Sequence, residues 1–269
     1  MLKDITLGQY FPGNSVIHRL DPRTKLIMVI VYIVALFMAN YGIVSYAVLL
    51  AFLISCIKIS TVGLKAITRG LKPVLIILIF TAVLNMFYTS GEHELVSFWI
   101  FTITLEGIIS AVFIVLRIMM LITGTFLLTY TTSPIALTDG MESLLGPLKK
   151  IKVPVHELAM IMSIALRFIP TLIEETDKIM SAQKARGADF ETGSLLQRAK
   201  ALIPILVPLF ISAFRRADEL AVAMECRCYH GGEGRTRMKT LKYARRDFNA
   251  LLTGAILLAV IFLLKQLGL

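Results

Sequence analysis

Apolar residues run almost unbroken through five stretches of this chain: Leu26–Ala39, Ile43–Ile57, Val74–Tyr88, Gly107–Tyr130 and Leu251–Leu264. A helix needs roughly 20 apolar residues to cross a bilayer, and Gly107–Tyr130 meets that alone. Leu26–Ile57 is too long for one crossing, and Asn40-Tyr41-Gly42 supplies turn residues for two. Between the third and fourth stretches, Ser97–Leu105 alternates loosely, which predicts a short hairpin or extended segment. Glu106-Gly107 then opens the fourth helix, where a carboxylate suits the macrodipole.

The pattern changes after the fourth stretch. Ser133-Pro134 and Gly146-Pro147 bracket a short amphipathic helix carrying Leu137, Met141, Leu144 and Leu145. A second helix is expected from Val155 to about Lys184, with Leu158, Met162, Ala165, Ile169, Leu172 and Ile173 on one face. A third is expected from Leu195 to Glu225, with Leu202, Leu206, Leu209, Phe210, Ala213, Ala217, Leu220 and Met224 on one face. Glu174, Glu175, Asp177 and Lys178, then Arg215, Arg216, Asp218 and Glu219, occupy the polar sides, and Glu175 is expected to be solvated or paired with Lys178. Each helix is about 45 Å long at 1.5 Å per residue. A helix of that length with an apolar stripe must bury it against lipid, its twin or a partner protein.

Charge gives the topology. The turn at Asn40-Tyr41-Gly42 and the Thr89–Thr104 segment contain no lysine or arginine. Lys3, Arg19, Arg23 and Lys25 precede the first stretch, and Lys58, Lys65, Arg69 and Lys72 lie between the second and third. Residues 131–246 hold 18 of the 28 Lys+Arg. This asymmetry predicts a cytoplasmic N-terminus, a cytoplasmic 131–246 segment and an outside C-terminus. Composition agrees with a membrane protein: 57% hydrophobic, 17% charged, mean hydropathy +0.77. The net charge of +10 is therefore topogenic, and nucleic acid is not an expected partner. Met1–Tyr10 has no apolar core, so no cleaved signal is expected. Cys56, Cys226 and Cys228 predict no disulfide framework.

Few residues carry candidate chemistry. Arg117 lies mid-span, where a charge is costly and functional by default. With no acidic residue in any span to pair with, a structural role bonding backbone carbonyls is favoured. The long helices finish as Ala185-Arg186-Gly187 and Cys226-Arg227-Cys228, each presenting one arginine where a cation complements the C-terminal carbonyls. Gly187 suits the left-handed cap position. His156-Glu157 begins like a zinc-protease helix, but Met160 stands where the second histidine is required. Gly231–Thr236 follows a helix and lacks the phosphate-loop lysine, and Cys226-x-Cys228 lacks a second cysteine pair. No metal site, catalytic residue or directly bound cofactor is expected.

Several motifs together resemble one family. They are His18-Arg19-Leu20-Asp21-Pro22-Arg23-Thr24-Lys25, Thr132-Ser133-Pro134, Leu166-Arg167-Phe168-Ile169-Pro170-Thr171-Leu172, and the two tips at Ala185-Arg186-Gly187 and within Glu219–Arg235. The sequence is similar to the transmembrane T components of energy-coupling factor (ECF) transporters, closest to the shared-module type of Gram-positive bacteria. The resemblance implies an all-α membrane protein with about five transmembrane helices plus long cytoplasmic amphipathic coupling helices. It divides the chain into a membrane part at 1–130, coupling helices at 131–246 and a last span at 247–269. It implies two non-identical ABC ATPase subunits docked at the tips, with Arg186 and Arg227 as the docking arginines and ATP and Mg used by those partners. It also implies one substrate-binding S component for vitamin or micronutrient uptake, facing Leu202, Leu206, Leu209, Phe210 and Ala213. Arg117, Arg167 and Pro170 are expected to be structural. One departure stands out: the family's second tip reads Ala-Arg-Gly or close to it, whereas Cys226 and Cys228 flank Arg227 here. A membrane-anchored scaffold without a transport role is the alternative. A secondary transporter is disfavoured by the lack of internal repeats and of intramembrane acids.

Overall fold

A computed structural model describes residues 10–39, 42–88, 94–98, 101–190, 192, 194–232 and 240–267. The expected turn at Asn40-Tyr41 lies outside the described residues. Among the described residues the regular structure is helical apart from one two-stranded hairpin: α1 Pro22–Met38, α2 Ile43–Ser60, α3 Leu64–Tyr88, β1 Glu94–Phe98, β2 Phe101–Thr104, α4 Leu105–Thr131, α5 Pro134–Leu144, a 3-10 turn at Gly146–Ile151, α6 Val155–Ala185, α7 Leu195–Glu225 and α8 Arg245–Gln266. It forms two compact units, residues 142–240 and residues 8–141 with 241–269. Among the described residues six helices (α2, α3, α4, α6, α7 and α8) are long and apolar enough to cross a membrane. At 17 residues α1 is about 25 Å long, slightly under the roughly 30 Å hydrocarbon core.

Several boundaries differ from the sequence reading. α3 starts at Leu64 and not at Val74, so Lys65, Arg69 and Lys72 ride on a helix that continues through Pro73. An interior proline forfeits one backbone hydrogen bond, which membrane helices tolerate by local adjustment. The extended segment is a true antiparallel hairpin beginning at Glu94, with Phe98 opposite Phe101. Leu105 is already helical, because Thr104 Oγ1 caps the amide of Gly107 at 3.1 Å.

The membrane unit is organised around α1. Tyr32, Ala35 and Leu36 of α1, Leu49 and Leu53 of α2, Met120 of α4 and Leu257 and Ile261 of α8 form its buried core. Small residues let the helices close: a Cβ on Gly124 would sit 2.8 Å from the Tyr32 ring, and one on Gly254 would meet Met28.

Both ends of α1 are tied by side chains. Helix starts expose amides that have no intrahelical partner, and Asp247 serves two of them. Its Oδ1 accepts from the Asp21 amide at 2.8 Å and its Oδ2 from the Ala244 amide at 2.8 Å, so one carboxylate caps the starts of α1 and α8. Asp21 in turn caps α1 through the Arg23 amide (2.9 Å) and holds the Arg23 guanidinium at two oxygens. That guanidinium lies 3.9 Å from the centre of the Tyr243 ring. Lys25 donates to the carbonyls of Thr131 (2.8 Å) and His18 (3.1 Å), tying α4 to the same knot. At the other end Arg117 donates to the Tyr46 hydroxyl (2.8 Å) and to the carbonyl of Ala39 (3.2 Å), the C-cap of α1. The mid-span charge is thus hydrogen-bonded within the unit.

Replacing Asp247 by alanine orphans the buried Asp21 amide, at a cost of about 1–3 kcal/mol, and frees the part-buried Ala244 amide at a smaller cost. Asp247→Asn keeps one oxygen acceptor and is expected to lose about half as much in denaturant unfolding of the detergent-solubilised chain. Equal losses in the two variants would show that the paired capping is not what stabilises these helix starts.

Burial pushes the Asp21 carboxyl up, but hydrogen bonds and charge from Arg23 outweigh it and hold the group below its ordinary 3.8. A depressed carboxylate contributes stability that is present above pH about 4 and lost as pH falls towards its folded value. An acid unfolding titration is expected to show that loss in the unsubstituted chain and a shallower one in Asp21→Asn.

Candidate functional site

The 142–240 unit is built on α6 and α7, which run antiparallel. Gln183 near the end of α6 reaches the carbonyl of Pro204 early in α7 (3.5 Å). Glu175 and Arg216 pair midway at 2.6 Å, and Gly232 just beyond α7 lies against His156 at the start of α6. The Pro204 carbonyl is open to Gln183 because Pro208, four residues on, has no amide to bond it. Glu175 therefore pairs across the helices with Arg216 and not with Lys178. Two partners 41 residues apart leave no local pattern to read. His156 Nδ1 also meets Glu142 Oε1 at 2.9 Å, fixing the start of α6 to the end of α5.

The apolar face of α7 is wide and largely uncovered. Ile205 is its one buried apolar residue among those described, while Leu202, Leu206 and Phe210 are exposed and Leu209 and Ala213 half-buried. Ile203, Val207, Ile211 and Phe214 are exposed as well. The sequence reading missed this second stripe, although its i, i+4, i+8, i+11 spacing is helical. On α6, Leu158, Ile161 and Met162 are exposed. Contiguous exposed apolar surface of this kind marks a protein or lipid contact. Arg167 and Pro170 lie exposed along α6, which continues through the proline.

The two helix ends share one backbone design. At the end of α6 the Ala188 amide bonds the Gln183 carbonyl and the Gly187 amide bonds the Lys184 carbonyl, with Gly187 at φ +89°. At the end of α7 the Tyr229 amide bonds the Met224 carbonyl and the Cys228 amide bonds the Glu225 carbonyl, with Cys228 at φ +55°. Both are Schellman caps. Arg186 and Arg227 hold the equivalent position, immediately before the left-handed residue. Each lies exposed, flanked by exposed Ala185 and Gly187 or Cys226 and Cys228, and neither guanidinium has a carboxylate partner among the described residues. Because the helices are antiparallel, the two arginines stand at opposite ends of the pair.

Residues 13–238 match the family model described as CbiQ, cobalt transport protein. The chain belongs to this family. An energy-coupling factor transporter transmembrane protein of Clostridium kluyveri is 58% identical over 261 residues, covering 97% of this chain and 96% of that protein. Proteins of the same description from Bacillus subtilis and Lactococcus lactis subsp. cremoris are 48% and 46% identical, each covering 98% of this chain and 100% and 98% of their own lengths. Within the family the chain is the energy-coupling transmembrane subunit of an ECF transporter. The His18–Lys25 motif that resembles the family is the knot at the start of α1, and the two tips are the matched caps.

The left-handed residue is where the two tips diverge. A non-glycine residue there costs about 1–2 kcal/mol, partly offset by the greater freedom glycine has when unfolded. Cys228→Gly is expected to slow hydrogen exchange of the Cys228 and Tyr229 amides, the equivalent of up to about 1 kcal/mol. Gly187→Val is expected to speed exchange at Gly187 and Ala188. Unchanged exchange in both would mean that the φ values do not govern the caps.

Proposed function

We propose that this chain converts ATP-driven motion of two cytoplasmic ABC ATPases into movement of a separate substrate-binding S component for vitamin or micronutrient uptake. One ATPase docks at Ala185-Arg186-Gly187 and the other at Cys226-Arg227-Cys228. The partners are non-identical because the residues around the two arginines differ. ATP and Mg belong to those partners, and this chain is not itself an enzyme. The S component packs on the apolar face of α7 through Leu202, Leu206, Leu209, Phe210 and Ala213. In this reading the N-terminus and 131–246 are cytoplasmic, with 1–130 as the first membrane part, and 247–269 crosses to an outside C-terminus.

The observation that carries the reading is the matched pair of caps, each displaying an exposed arginine at opposite ends of one antiparallel pair. A guanidinium forked onto a groove carboxylate resists sliding, so it transmits force as well as binding. Closure of the two ATPases would draw the tips together. A wide apolar face can then repack against a moving partner.

Truncating a desolvated, hydrogen-bonded ion pair costs on the order of 2–5 kcal/mol, whereas an exposed capping arginine contributes under about 1 kcal/mol. Arg186→Glu combined with Arg227→Glu is expected to abolish co-purification with both ATPases at moderate salt. Arg186→Lys and Arg227→Lys are expected to keep assembly and lower transport, because charge survives and the fork does not. Normal assembly and transport by the double glutamate variant would reduce the two arginines to helix caps.

A further inference from the structure

A groove of about 640 Å3 opens in the membrane unit between α2 and α8, floored by Tyr32 of α1 and Leu127 of α4. Its volume falls within the usual range for ligand sites, about 300–1,000 Å3. Its body is almost wholly apolar. Along α8 it extends from Arg246 to Val260, 14 residues or about 21 Å. That is about half of the 40–45 Å thickness of a bilayer with its headgroups, so the groove is as deep as one leaflet.

Its two ends differ. The end reached by Val48 and Val260 is apolar. The other lies where α1 and α8 begin and α2 and α4 end, and carries Arg246 and Asn249, three residues apart on one face of α8. Both are exposed, and Arg246 has no carboxylate partner among the described residues. The apolar body alone would accept a partner helix as readily as an acyl chain. A free guanidinium at headgroup depth selects the lipid, because basic pockets between membrane helices bind anionic headgroups.

The geometry points to a binding site for one anionic phospholipid, with an acyl chain lying between α2 and α8 and the phosphate held by Arg246 and Asn249. The site is independent of the arginine tips and of the S-component face.

Native mass spectrometry of the full chain in detergent, offered phosphatidylglycerol and phosphatidylcholine with identical acyl chains, tests this. One phosphatidylglycerol is expected to be retained preferentially. Arg246→Gln is expected to lower that preference about fivefold, the effect of one cation near an anionic surface. Ala250→Trp and, separately, Thr253→Phe fill the groove and are expected to reduce retention of both lipids, whereas Ile76→Trp on the exposed face of α3 changes neither. Arg246 is exposed, so its replacement tests the headgroup contact even if a filling variant folds poorly. The proposal is overturned if Arg246→Gln keeps the wild-type preference, if folded filling variants retain lipid as before, or if a photo-crosslinker at Thr253 in native membranes captures protein and no lipid.

Discussion

The carboxylate of Asp247 holds two helix starts at once, and the membrane unit depends on it. Amides at the start of a helix have no intrahelical partner, and the bond that the Asp21 amide makes is buried. By accepting from Asp21 and Ala244 together, Asp247 fixes the starts of α1 and α8 side by side. Once the starts are fixed, Tyr32, Leu36, Leu257 and Ile261 have little choice of neighbour, and Gly254 can close on Met28. Lys25 brings the end of α4 to the same point. Arg117 then secures the far end of α1 through the Ala39 carbonyl. Ionic groups that would be costly in lipid thus each answer a backbone group that would otherwise be orphaned.

The α6–α7 pair follows a different rule. Cross-links among its described residues include an amide on a proline-freed carbonyl, an ion pair and the contact of Gly232 with His156. The side chains of Glu175 and Arg216 are 22% and 29% exposed, and an ion pair that solvated contributes under about 1 kcal/mol. Each helix is stiff along its axis, and the described ion pair between them is partly solvated. In the proposed coupling that combination would suit a lever that changes its neighbours, and Phe210 and Phe214 are uncovered in the isolated chain.

How much was legible in the sequence follows from where each signal lies. The bounds of α6 and α7 were readable because local chemistry sets them: Pro154 before the first, Ser194 with Gln197 in a capping box at the second, and the left-handed residues after both. The third apolar stretch began at Val74 in the reading because an apolar run stops at basic residues, whereas the helix carries Lys65, Arg69 and Lys72 and continues through Pro73, which a membrane helix tolerates. The Asp247 knot and the Glu175–Arg216 pair were invisible, since each joins residues that only the fold makes neighbours. Of the wide face on α7 one stripe was seen and the second was not. A single-stripe template stops at Leu202, Leu206 and Leu209, while Ile203, Val207, Ile211 and Phe214 continue round the helix.

The departure at the second tip takes on a narrower meaning once the caps are compared. Cys226 and Cys228 replace residues that the family resemblance leads one to expect, which raises the question of whether Arg227 is displaced along its helix. The hydrogen bonds answer it: both caps close with the same two bonds, and both arginines precede a residue at positive φ. Cys228 accepts the left-handed conformation at a cost of about 1–2 kcal/mol relative to a right-handed one, so the cap is strained but in register. The two arginines are geometrically equivalent, and what distinguishes the tips is their flanking chemistry, alanine and glycine at one and two small thiols at the other. In the proposed coupling, discrimination between two docking partners would rest on those flanks, because the guanidinium alone presents the same fork at both ends.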